Sequence, residues 1–85
     1  NNKNLLTSEW INKGNEAFDN NEYDKAISYY KKEIEYNPKN GLAYSNLGRC
    51  YHKSDFEKAL TYYKKGARLG HNIYKDWLER SGYGW

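Results

Sequence analysis

The chain has 85 residues, room for one domain and no more, with three Trp, ten Tyr and two Phe to fill a small core. Fourteen Lys and Arg face eleven Asp and Glu, a formal net charge of +3; this mild excess favours an acidic partner weakly and does not by itself indicate nucleic acid. The single cysteine, Cys50, excludes an internal disulfide and fits a reducing, intracellular setting. No apolar run approaches the ~18–20 residues of a membrane span, and no secretory leader pattern appears.

In chain order, the first predicted helix covers about 8–20, with Trp10, Ala17 and Phe18 at helical spacing and Thr7 or Ser8 as its cap. The second covers 22–36. Tyr23, Ala26, Ile27, Tyr30 and Ile34 form its apolar stripe, Asn21 caps it, and Pro38 ends it. Asn40 caps a third helix over 41–53, which carries Ala43, Tyr44, Leu47 and Tyr51. Ser54-Asp55-Phe56-Glu57 reads as a capping box opening a fourth over 55–69, with Phe56, Ala59, Leu60, Tyr63 and Ala67. Gly70 is placed to end it in a left-handed turn. Asn72 starts a fifth helix over 73–81, and Gly82-Tyr83-Gly84-Trp85 is too glycine-rich to continue it. No segment alternates with period two, so strands are not expected and the class is all-α.

The chain repeats itself. Tyr29-Tyr30-Lys31-Lys32 recurs as Tyr62-Tyr63-Lys64-Lys65, Lys25 as Lys58 and Ala26 as Ala59, at an offset of 33. Upstream, Trp10 aligns with Tyr44 and Gly14 with Gly48, at an offset of 34. One residue is therefore lost between Gly48 and Ala59. Two copies of a ~34-residue unit, with Trp10, Gly14, Ala17, Ala26, Tyr30 and Pro38 in the first and Tyr44, Leu47, Gly48, Tyr51, Ala59 and Tyr63 in the second, resemble the tetratricopeptide repeat. Lys13 and His71 depart from that pattern, standing where Leu and Pro are usual. The run from Tyr62 to His71 and the Gly82-Tyr83-Gly84 tail are similar to Sel-like repeats, relatives of that family.

The resemblance implies a helical-repeat superhelix forming one domain over 1–85: repeat one at 7–40, repeat two at 41–72, and a capping helix with its tail at 73–85. It implies a concave groove lined by the first helix of each repeat, binding a protein or peptide. The groove residues so implied are Ile11, Asn12, Asn15, Phe18 and Asp19, then Leu42, Ser45, Asn46, Arg49, His52 and Lys53, and finally Lys75 and Glu79. One subclass of the family grips the C-terminal carboxylate of heat-shock chaperones with two asparagines and three basic residues. Asn15, Asn46 and Lys75 match three of those positions. Ile11 and Glu79 stand where Lys and Arg are expected, and an acid beside a carboxylate is repulsive, so tight chaperone binding is not expected.

The expected partner is thus a protein segment, acidic or C-terminal. The alternative is a structural module that stacks on further repeats or forms a homo-oligomer, because two repeats are fewer than the ~3 usually needed for stability. No phosphate loop, nucleophile setting or metal-ligand spacing points to an enzyme, a metal or a cofactor. Lys31, Lys32, Lys64, Lys65 and Arg68 form the nearest approach to a nucleic-acid stripe, but Glu33, Glu35 and Glu57 dilute it. The Tyr pairs at 29–30 and 62–63 read as core, and Cys50 as a small packing residue. Trp77 sits where a third repeat would place its aromatic and is expected to be largely buried against repeat two. Tyr83 and Trp85 are left either mobile or folded back as a lid.

Overall fold

The computed structural model describes the backbone from Lys3 to Trp85 and the side chains from Glu9 onward. Five helices follow one another: α1 (Lys3–Asp19), α2 (Tyr23–Tyr36), α3 (Gly41–Tyr51), α4 (Phe56–Arg68) and α5 (Asn72–Arg80). No strand occurs among the described residues. Turns at 20–22, 37–40, 52–55 and 69–71 fold each helix back on the one before it, and each packs chiefly on its chain neighbours. The result is an elongated slab, 39 × 27 × 16 Å.

The turns are built from particular residues. Asn21 takes a φ of 63°, and the amides of Asn21 and Glu22 return to the carbonyls of Phe18 and Ala17 at 2.9 and 2.8 Å. This is a left-handed helix ending, which asparagine tolerates better than most residues. Asn21 therefore ends α1 and does not cap α2; the cap position falls to Glu22, with no side-chain bond. Gly70 and Gly82 end α4 and α5 in the same way, at φ 100° and 82°. Asn40 caps α3 as expected, its Oδ1 accepting from the amides of Leu42 and Ala43. The cap of α4 is Asp55, whose Oδ1 accepts from Lys58 N–H at 3.1 Å. The helix starts one residue later than expected, which puts Lys58 at the third helical position and dissolves the box built on Ser54 and Glu57. At the other end of the chain α1 begins at Lys3, so Thr7 and Ser8 lie within the helix and not at its cap.

Two buried clusters hold the helices together. Ala17, Ala26, Tyr30, Leu47 and Cys50 form the first, and Ala59, Tyr63, Ala67 and Leu78 the second. Each is organised around the repeated Gly–Tyr pair. A Cβ on Gly14 would collide with the Tyr30 ring, and one on Gly48 would stand 2.6 Å from the Tyr63 ring. The missing side chains let both rings lie flat against the first helix of their repeat. Gly66 plays a similar part, since a Cβ there would collide with Ser45 Oγ.

The fifth helix closes the second cluster with Leu78, which is 0% exposed. Trp77, expected as the buried anchor, is only half-buried. One residue along a helix is about a quarter-turn, so once Leu78 points into the core Trp77 stands at its edge. Its ring meets Tyr63 edge-on at 5.4 Å, and its flank is covered by Tyr83 at 5.9 Å. The tail folds back as the lid. The Trp85 indole N–H donates to Glu79 Oε2 at 3.0 Å, its carbonyl accepts from Arg68 Nε at 2.7 Å, and Lys75 Nζ lies 4.9 Å over its ring.

Candidate functional site

The first helices of the repeats, α1 and α3, run side by side with α5 beyond them, and two hollows open on the face they share. The larger encloses about 570 Å³. From repeat one it takes Phe18 and Tyr23. The end of α3 and the following turn supply Arg49, Cys50, His52, Lys53 and Ser54. The floor and far wall are Tyr63 of α4 with Ile73, Tyr74 and Trp77 of α5. The smaller hollow, about 300 Å³, lies between α1 and α3 and is lined by Asn15, Phe18, Asp19, Leu42, Asn46 and Arg49. Phe18 and Arg49 belong to both, and the Arg49 guanidinium sits 4.4 Å over the Phe18 ring. That pair forms the ridge between them.

The aromatic wall is closely packed. Tyr63 and Tyr74 stack with ring centroids 4.2 Å apart and planes 11° from parallel, a packed offset arrangement. The Tyr63 hydroxyl is 2.9 Å from His52 Nδ1. Burial pushes the Tyr63 phenol well above the ordinary tyrosine range, and does the same for Tyr30. Both therefore remain neutral hydrogen-bonding groups at any ordinary pH. Burial also raises the Cys50 thiol to about 11, against a smaller opposing effect of Arg49. It is a packing thiol and not a nucleophile.

In the smaller hollow Asn15 Oδ1 accepts from the Tyr30 hydroxyl at 2.6 Å and from Asn46 Nδ2 at 3.5 Å. Asn46 is nearly buried and Asn15 is exposed. The two amides are thus held in place from the core side, with Asn15 presented to solvent.

Of the residues implied for the groove, Asn15, Phe18, Asp19, Leu42, Asn46, Arg49, His52 and Lys53 line one hollow or the other. Ile11 instead packs against the first core cluster, and Asn12 is exposed away from both hollows. Ser45 is a correction. It is 0% exposed, and its hydroxyl lies 2.7 Å from His71 Nδ1. Glycine at position 66 lets α4 close onto α3 there, which carries Ser45 into the helix contact and off the concave face. Lys75 and Glu79 are engaged by Trp85 and line neither hollow. Sequence reasoning missed Tyr23, Ile73, Tyr74 and Trp77. Their apolar character read as core, and the cavity forms only where α5, packed on α4, stands opposite the end of α3 and its following turn.

Among the described residues no group of three or more His, Cys, Asp or Glu could hold a metal ion. No described helix is long and apolar enough to cross a membrane.

The pattern of the tetratricopeptide repeat family matches over residues 11–71. An Hsp70-Hsp90 organizing protein of Triticum aestivum is 44% identical over 48 residues, 56% of this chain and 8% of that protein. Stress-induced-phosphoprotein 1 of Caenorhabditis elegans is 38% identical over 48 residues, 56% of this chain and 15% of the relative. An E3 ubiquitin-protein ligase of Mus musculus is 41% identical over 39 residues, 46% of this chain and 2% of that protein. The chain thus matches a small part of each of these longer relatives.

Proposed function

The chain belongs to the tetratricopeptide repeat family, and from that premise we propose that it is a protein-interaction module whose concave face, formed by α1, α3 and α5, holds an extended segment of a partner protein. The observation that carries this reading is the 570 Å³ hollow on that face, a size typical of built binding sites. The segment is acidic, drawn by Arg49 and Lys53, and Asn15 with Asn46 supplies amide contacts beside them. Two repeats and the cap at 73–85 act together as one domain.

The chaperone-type grip on a terminal carboxylate is disfavoured. Ile11 is spent on the core, while Lys75 and Glu79 are occupied with Trp85. Opening the terminal-carboxylate positions would therefore require losing the tail's contacts first. The relatives named as Hsp70-Hsp90 organizing proteins still make chaperone-linked partners the first class to screen.

An NMR titration tests the reading. Asp- and Glu-rich peptides in free-acid and C-amidated forms are added to the labelled chain. The expected result is that amide shifts cluster on Asn15, Asn46, Arg49, His52 and Lys53, equally for both forms. Shifts confined to the lysines of α2 and α4 would contradict it, and a requirement for the free carboxylate would restore the terminal-carboxylate grip.

A further inference from the structure

The larger hollow has a composition that the acidic reading alone does not explain. Its walls are Phe18, Tyr63, Ile73, Tyr74 and Trp77. Phe18, Tyr23, Ile73, Tyr74 and Trp77 present apolar surface there above the buried Tyr63 ring, and such surface is costly to leave against water, at roughly 25 cal/mol per Å². Ile73 is 71% exposed, the most exposed large apolar side chain among the described residues. The charges at the mouth have one sign: Arg49 and Lys53 line it, and among the described residues no carboxylate does. Neither cation is paired with a carboxylate among the described residues. Arg49 instead lies over the Phe18 ring, where it can accept an anion without breaking an ion pair. Asp19 lines the smaller hollow, which Arg49 also borders, and not the larger one.

Resting on the peptide-binding reading above, we propose that the hollow is a specificity pocket for one bulky apolar side chain, and that the partner segment carries this anchor next to an acidic residue. The ring or branched chain of the anchor enters between Ile73, Trp77 and the stacked Tyr63–Tyr74 pair. The neighbouring carboxylate reaches Arg49 and Lys53. A buried aromatic or aliphatic anchor with a charged pair at its rim is the usual division of labour at a peptide site, the first supplying affinity and the second selecting among partners. Because the anchor and its acid are both side chains, the segment need not be a chain terminus.

Selection from a random-peptide display library tests this. Binders are counter-screened on Ile73→Asp and Lys53→Glu, both exposed positions where thermal melts should match wild type. Enrichment of Phe, Trp or Leu beside Asp or Glu is expected. Ile73→Asp should weaken these binders about tenfold or more, and Lys53→Glu should weaken them and flatten their salt dependence. Binders that map to Asn15 and Asn46, lack the apolar–acidic pair and ignore Ile73→Asp would overturn the pocket and leave the groove reading standing. No binder at all would overturn both. Sedimentation across a concentration series supplies the remaining outcome: a dimer abolished by Ile73→Asp would show that the hollow receives a second copy of this chain, and would overturn the proposal.

Discussion

His71 stands where the family pattern has proline, and its ring is tied to Ser45 between α3 and the start of α5. Burial lowers its pKa, so the folded protein resists a proton that the unfolded chain accepts near the ordinary value of about 6.5. Stability is therefore full above that value and falls as pH drops from it toward the lower folded one. Urea midpoints for wild type should fall between pH about 7.5 and about 5 by more than those of His71→Gln; equal falls would remove the imidazole from the account. Neither partner of this bond was legible. The family resemblance implies a groove position for Ser45, but the side chain opposite it at position 66 is absent, and that local fact turns Ser45 inward. The Gly–Tyr pairs were easier to read, because both members recur at the repeat offset. Ala59, wholly buried beside Tyr63, should tolerate no larger side chain: Ala59→Leu is expected to cost ~1–3 kcal/mol by overpacking. An unchanged denaturant midpoint would mean that α4 does not meet its neighbours there.

At the scale of elements, five helices were legible from apolar spacing, because each carries a stripe that must be buried. Their starts were less so, since Asn, Ser, Thr and Asp all cap helices and the turns of this chain hold several of them. Asn21 went to a left-handed ending and Asp55 displaced Ser54. Two substitutions separate the readings of that turn. Asp55→Ala should cost about 1 kcal/mol, the usual weight of a helix cap, while Ser54→Ala should cost almost nothing; the reverse order in a thermal melt would restore the Ser54 cap. Asn40→Ala should cost more than Asp55→Ala. Besides the cap it removes the 2.8 Å bond from Asn40 Nδ2 to Glu33 Oε2, and Glu33 is fully buried.

Over the whole molecule the two clusters are joined end to end, and α5 closes the second. Leu78→Ala should cost ~2–5 kcal/mol and stands to unfold a domain of this size. Removing residues 82–85 should cost less, since the tail's rings and bonds lie at the surface, where a ring contact gives ~0.5–1.5 kcal/mol. A deletion more damaging than Leu78→Ala would make the tail, and not α5, the true cap. Most of the groove residues that the family resemblance implies do line one hollow or the other. The larger cavity was not legible in the sequence, because it lies between α5, packed on α4, and the end of α3, a relation between elements that no periodicity encodes.

Binding of a partner segment on the concave face is read out by a charge-swap cycle on a display-selected acidic peptide. Arg49→Glu alone and Asp- or Glu-to-Lys in the peptide alone should each weaken binding about tenfold, the size of one modest contact. The two changes together should recover most of the loss, as a direct pair requires. Losses that simply add would place the peptide away from Arg49 and contradict the account.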